Sequence, residues 1–169
     1  MKRLILVRHA KTEPLTDAAS DFERKLKKRG RGDASLVAGD LKDKDYVPDV
    51  LIASPAKRAI QTALIYAETY GIPEDDIKEA MFVYDGDTTA RMLDAIAGLA
   101  GNAGTVMVVG HNPDMATLSM LLTREDFYHY PTCASSVIAF SITDWKDMSV
   151  GQGRSEYFVY PRLLKNNKA

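Results

Sequence analysis

An α/β fold, a three-layer α/β/α sandwich with a mostly parallel sheet and an antiparallel edge, is the architecture this sequence predicts. Three observations lead to it. Residues 4–7, 50–53 and 105–109 are short, continuous apolar runs, the pattern of strands buried on both faces. Each run is followed by a stretch with helical periodicity, and the resulting βαβαβαβα order puts helices on both faces of a parallel sheet. After Ser135 two β segments follow with no helix between them, which makes them antiparallel neighbours near one edge.

The first strand, Leu4-Ile5-Leu6-Val7, runs directly into Arg8-His9-Ala10-Lys11. Residues 12–21 are polar, contain Pro14, and read as a loop over the end of that strand. Ala34, Val37, Ala38 and Leu41 fall on one helical face, with Gly30 and Gly32 weakening the start, so this helix begins at about Lys28. The second strand, Val50-Leu51-Ile52-Ala53, meets Ser54-Pro55, read as a cap and a proline in the first turn of a helix. That helix should bury Ile60, Ala63, Leu64 and Ala67 and end at Gly71. Residues 78–83 form a weaker strand, and Asp87 caps a helix with Met92, Leu93, Ile96 and Ala97 inward. The strand at 105–109 ends in Gly110-His111-Asn112-Pro113, again read as a cap and proline, before a stripe of Met115, Leu118, Ser119 and Leu122. Residues 136–142 and 156–160 are the two closing β segments.

The 169 residues suit one domain, 1–169, with one substantial core. Apolar content of 46% and charged content of 27% exclude a disordered or membrane-embedded class. A net charge of −1 gives no global attraction to nucleic acid or an anionic membrane, so any anion site must be local. The single cysteine, Cys133, rules out an internal disulfide and a multi-cysteine metal site, and it reads as a small packed residue. The apolar run after Met1-Lys2-Arg3 is shorter than the ~7–15 residues of a signal core. A cytoplasmic location and a monomer or weak dimer are therefore expected.

Function is read from the strand ends. Open α/β sheets bind ligands beyond the carboxyl ends of their strands. Arg8 and His9 arrive there from the first strand, and His111 from the third long one. Arg58, one turn into the helix after Ser54-Pro55, can reach back over the same edge. Helix N-termini add unpaired N–H groups and positive dipole ends, and arginine offers planar, bidentate donors to phosphate oxygens. Taken singly each feature has an ordinary structural explanation; together they describe a phosphoryl-binding site. Lys25, Lys27, Lys28, Arg29 and Arg31 form a basic cluster that reads as a solvated helix face or a docking surface.

Arg8-His9-Ala10, the run Ser54-Pro55-Ala56-Lys57-Arg58-Ala59-Ile60-Gln61-Thr62-Ala63, and Gly110-His111-Asn112-Pro113 resemble the three signatures of the histidine phosphatase superfamily. Short length and the Arg24-Lys25-Leu26 and Arg29-Gly30 segment resemble its small SixA-type phosphohistidine phosphatase branch. The resemblance implies a phosphoglycerate-mutase-like fold and no cofactor or metal. It implies that His9 is a nucleophile that becomes phosphorylated, and that Arg8, Arg58 and His111 bind the phosphoryl oxygens. By a weaker match Arg24 adds another cation. Neighbouring arginines should hold the His9 imidazole neutral by like-charge repulsion. His129 has no place in this pattern and is expected at the surface.

The sequence departs from the family pattern at two points. Ala10 stands where many members carry glycine. Many members also draw a proton-donating carboxylic acid from the segment after the third strand; Asp85 and Asp87 lie there without a clear match, and Glu13 is a more distant option. An alkoxide needs such a donor, whereas an imidazole leaving group with a pKa near ~6.5 does not. The expected substrate is thus phosphohistidine in a protein. A small phosphorylated metabolite and a non-catalytic phosphoprotein-binding module are the alternatives, and the histidine spacing argues against a zinc hydrolase.

Overall fold

The computed structural model describes residues 1–166. Six strands form one sheet: β1 (Lys2–Arg8), β2 (Val50–Ala53), β3 (Ile77–Glu79), β4 (Thr105–Gly110), β5 (Ser135–Phe140) and β6 (Arg154–Val159). Their spatial order is β3-β2-β4-β1-β5-β6, with the first four parallel and β5 antiparallel to both its neighbours. The helices are α1 (Lys28–Asp43), α2 (Lys57–Tyr70), α3 (Met81–Asp85), α4 (Thr89–Ala100), α5 (Asp114–Thr123) and α6 (Pro161–Asn166). The expected α/β/α sandwich is the observed one, including its antiparallel edge. No helix among the described residues is long and apolar enough to cross a membrane.

Continuous apolar strands make sense here because each strand faces two cores. Leu4, Leu6, Val106, Val108 and Ile138 pack against α4 and α5 through Leu93, Ile96, Met115 and Leu118. The alternate residues Ile5, Val7, Met107, Val109 and Val137 pack against α1 and α2 through Val37, Leu41, Ala63 and Tyr66. Cys133 is fully buried in the second core and unbridged.

Four local expectations need correction. Helix α2 begins at Lys57, not at Pro55: the Ser54 hydroxyl accepts from Ala56 N–H at 3.2 Å and turns the chain once before the helix. Its buried face is Arg58, Ala59, Thr62, Ala63, Tyr66 and Ala67, with Ile60 and Leu64 only half-buried. The segment after β3 is the short helix α3 rather than more strand, which tucks Val83 against the core. Thr88, not Asp87, caps α4: its hydroxyl accepts from Arg91 N–H, while the Asp87 carboxylate takes the Thr88 N–H at 2.7 Å. Helix α5 starts at Asp114 after a cis Asn112–Pro113 peptide, and Asn112 donates to the Tyr130 carbonyl at 2.9 Å instead of capping. Helix α6 was not foreseen.

Gly30, a weak point for helix propensity, is explained by contact. A Cβ there would stand 2.2 Å from the Lys11 carbonyl oxygen, so α1 approaches the chain just after His9 more closely than any side chain permits. Gly30→Ala is expected to force that segment outward, costing about 1–3 kcal/mol in urea-unfolding stability. An unchanged unfolding midpoint would contradict the close approach.

Candidate active site

Register builds the site. In the β1–β4 pair Arg8 lies opposite Gly110, so the next residues, His9 and His111, emerge side by side at the carboxyl edge. Their ring centroids are 5.2 Å apart. On the other flank of β4, Ala53 pairs with Val109, and Ser54 N–H donates to the Val109 carbonyl at 3.0 Å. The start of α2 is thereby brought over the same edge. His9, Arg58 and His111 are 8%, 7% and 9% exposed, so three ionisable side chains are buried together.

Hydrogen bonds fix the protonation of both rings. The His9 Nδ1 lies 2.8 Å from the Ala10 carbonyl, which can only accept, so Nδ1 carries the proton. Nε2 is left with its lone pair and has no hydrogen-bond partner among the described residues. His111 Nε2 lies 2.8 Å from the Ser54 hydroxyl. That buried hydroxyl already accepts from Ala56 N–H, and His111 is its only acceptor among the described residues. Ser54 therefore donates to Nε2, and the neutral His111 bears its proton on Nδ1. The two rings present opposite faces of the same chemistry: a lone pair at His9 and a donor at His111.

Burial, more than the arginines, keeps these rings uncharged. It lowers the His9 pKa from 6.5 to about 3, with repulsion from His111, Arg58 and Arg8 adding less. The expected repulsion from the arginines is present and acts in the expected direction, but desolvation of an almost enclosed ring is the larger effect. The same cause, followed by Arg58, takes His111 to about 4. Burial also pulls Arg8 below its ordinary value, although a guanidinium remains charged at neutral pH.

Arg8 is steadied by a bond from Nη1 to the Tyr130 carbonyl at 3.1 Å. Tyr130 is itself anchored by its hydroxyl, which donates to the Leu6 carbonyl at 2.6 Å. The Thr62 hydroxyl accepts from Ala10 N–H at 3.0 Å and donates to the Arg58 carbonyl at 2.8 Å, tying the chain just after His9 to α2. The Nε atoms of Arg8 and Arg58 and Nδ1 of His111 are buried without a protein partner. Each unsatisfied buried donor costs about 1–3 kcal/mol.

Asp21 was missed by the sequence reading. Arg58 Nη1 donates to its carbonyl at 2.7 Å and Nη2 to its carboxylate at 3.0 Å. Tyr84, whose ring stands edge-on to His111 with centroids 5.6 Å apart, donates its hydroxyl to the same carboxylate at 2.9 Å. Burial pushes the Asp21 carboxyl up, but the bonds from Tyr84 and Arg58 outweigh it and hold the group below its ordinary value. Asp21 is thus an ionised counter-charge that aims Arg58. The only signal for it in the sequence was its i,i+3 spacing from Arg24.

The remaining candidates do not converge with these residues. Arg24 reaches the cluster through Asp21, at 3.4 Å, and otherwise braces the loop through Thr12 at 2.8 Å and the Glu13 carbonyl at 3.3 Å. Asp85 and Asp87 are exposed beside α3 and α4, and Asp87 is occupied by the Thr88 N–H and Arg91. Neither they nor the Glu13 side chain hydrogen-bonds His9, Arg8, Arg58 or His111. His129 is exposed, its ring against Tyr160.

The sequence model described as "Histidine phosphatase superfamily (branch 1)" matches residues 4–86. An uncharacterized protein of Mycobacterium tuberculosis is 33% identical over 116 residues, which span 69% of each chain. The chain belongs to the histidine phosphatase superfamily. Among solved superfamily folds it is similar to a candidate phosphohistidine phosphatase SixA from Agrobacterium tumefaciens, at 26% identity and a TM-score of 0.78, covering 95% of this chain and 98% of that one. A protein histidine phosphatase SixA complexed with tungstate superposes with a TM-score of 0.81 at 23% identity, covering 96% and 99% of the two chains. The fold is phosphoglycerate-mutase-like, and superfamily membership supports a phosphatase hydrolase.

Three outcomes follow from the ring chemistry. Ring 15N spectra of the folded protein should show His9 and His111 neutral, with the proton on Nδ1, down to about pH 5. Because their folded pKa values lie below the ordinary 6.5, the unfolded chain binds more protons between about pH 4 and 6.5, and stability falls as pH drops through that window. His9→Ala should flatten this acid-side loss in urea titrations. Ser54→Ala should release the His111 tautomer and lower kcat by about tenfold or more with KM little changed. A wild-type kcat with the Nδ1–H signal intact would remove Ser54 from this role.

Proposed function

We propose that the protein is a metal-independent phosphatase that works through a phosphohistidine on His9, and that its substrate is phosphohistidine in a protein. The observation that carries the reading is the bond from His9 Nδ1 to the Ala10 carbonyl, which leaves Nε2 as the free nucleophile. In the first step the Nε2 lone pair attacks phosphorus, the bond to the leaving group breaks, and its electron pair departs with that group. In the second, water attacks the phosphohistidine, giving inorganic phosphate and restoring the neutral ring. Splitting the displacement this way replaces one difficult step by two easier ones. Arg8, Arg58 and His111 bind the phosphoryl oxygens, where positioning and charge stabilisation make up most of catalysis. Arg24 contributes through Asp21.

The choice of substrate rests on proton supply. Asp21, the carboxyl bonded to Arg58, is held ionised and has no proton to give at neutral pH. Asp85 and Asp87 are exposed and Asp87 is engaged elsewhere, so the acid expected from that segment has no support in the geometry. A leaving imidazole needs far less assistance than an alkoxide: with a proton on the other ring nitrogen of the phosphohistidine, the P–N bond breaks to release a neutral imidazole, whose conjugate acid has a pKa near ~6.5, and the enzyme need supply no proton. The likeness to SixA phosphohistidine phosphatases points the same way.

A substrate panel tests this. Phosphohistidine peptide should be hydrolysed at least ~100-fold faster than an alkyl phosphate or a phosphoserine peptide, in line with the usual contribution of a general acid. His9→Ala should abolish turnover yet still bind vanadate, and EDTA should leave the rate unchanged. Equal rates on the alkyl ester would refute the substrate assignment, and an active His9→Ala enzyme would refute the nucleophile.

A further inference from the structure

A groove of about 560 Å³ lies beside the site, on the flank away from Arg58. It is lined by Lys11 from the chain just after His9, by Arg29 and Asp33 of α1, by Pro131 and Thr132 before β5, by Tyr160 just past β6, and by Pro161 and Arg162 at the start of α6. Topology explains its place. Ser135 at the start of β5 pairs with Val7 of β1 and with Val159 at the end of β6, so these segments continue the site's own sheet edge outward. Cys133 N–H donates to the carbonyls of both Arg8 and His9, so the wall formed by Thr132 is continuous with the catalytic strand.

The groove is positive in a chain whose net charge is −1. Its one carboxylate, Asp33, is buried and paired with Lys165 at 2.6 Å. Lys11, Arg29 and Arg162 are exposed and form no ion pair among the described residues. Nothing in the reading of the active site uses them. Solvated cations held along a concave wall, without internal partners, attract an anionic ligand and set its orientation. The space far exceeds a phosphate ion, and Pro131, Pro161 and the Tyr160 ring supply apolar contacts that a polypeptide can use.

We infer that this groove is a docking surface for an acidic polypeptide segment flanking the phosphorylated residue of the partner protein. The inference rests on the phosphatase reading for its direction, since a chain with its phosphorylated side chain at His9 would lay its flank along Lys11, Arg29 and Arg162. It goes beyond that reading in naming what selects the partner: acidic residues a few positions from the phosphorylated one.

The test compares wild type with Arg29→Glu/Arg162→Glu on three substrates: phosphoimidazole, a phosphohistidine peptide with neutral flanks, and the same peptide with Asp and Glu flanks. Wild type should prefer the acidic peptide over the neutral one by roughly tenfold in kcat/KM, and added salt should erode the preference. The double variant should lose the preference while hydrolysing phosphoimidazole at the wild-type rate, which also shows that it folds. Binding of the unphosphorylated acidic peptide, read by fluorescence anisotropy, tests the groove without turnover. An absence of all phosphatase activity would defeat the reading of His9 and leave this binding measurement decisive. Equal binding of the peptide by wild type and variant would overturn the groove. Competition by an oligonucleotide of matched charge as strong as by the peptide would overturn the polypeptide assignment.

Discussion

The pairing of β1 with β4 at the centre of the sheet is the constraint on which the rest of the site depends. Arg8 opposite Gly110 places His9 beside His111, and His9 N–H closes the ladder on the Gly110 carbonyl at 2.9 Å. A slip of one residue would send every side chain of β1 to the other face and exchange the two cores. The alternation of Leu4 and Leu6 against Ile5 and Val7, each matched to different helices, forbids that slip. Hydrophobic packing along the strand thus sets the position of the chemistry at its end. Gly30 extends the same control beyond the strand by letting α1 press on the backbone after His9.

Enclosure then decides the electrostatics. Two imidazoles packed at 5.2 Å, both almost out of solvent, shed their protons before any neighbouring charge is considered. Two guanidiniums can consequently sit beside them, so the positive charge belongs to groups suited to holding an oxyanion. Asp21 balances Arg58 from outside the pocket and receives Tyr84 as well, so the loop over the site is held by the same ions that shape it. Side-chain hydroxyls finish the arrangement: Ser54 sets one ring and Thr62 anchors the chain carrying the other.

Much of this was legible in the sequence. The buried strands announce themselves as continuous apolar runs, and the site's four central residues stand at strand ends or at the start of the helix that follows. Helix α1 starts at Lys28 and buries Ala34, Val37, Ala38 and Leu41, as periodicity requires. Less legible was what depends on contacts between distant segments. Ser54 looked like a cap because its local context is that of a cap; its partnership with His111, 57 positions away, is set by strand register. Asp21 and Tyr130 lie in segments without periodicity, and their roles come from the loops folding back over the sheet edge. The buried face of α2 includes Arg58 and Thr62, polar residues that an apolar stripe does not register and that Asp21 and Ala10 engage from other segments.

The central claim is that the lone pair left on His9 Nε2 becomes bonded to phosphorus during turnover. Rapid quench of the enzyme with phosphohistidine peptide, followed by peptide mapping under alkaline conditions, addresses it directly. The account predicts a transient, acid-labile phosphoryl group on the peptide containing His9 and none on those containing His111 or His129. Full turnover under single-turnover conditions with no phosphoenzyme at any time, or label on His111, would contradict it.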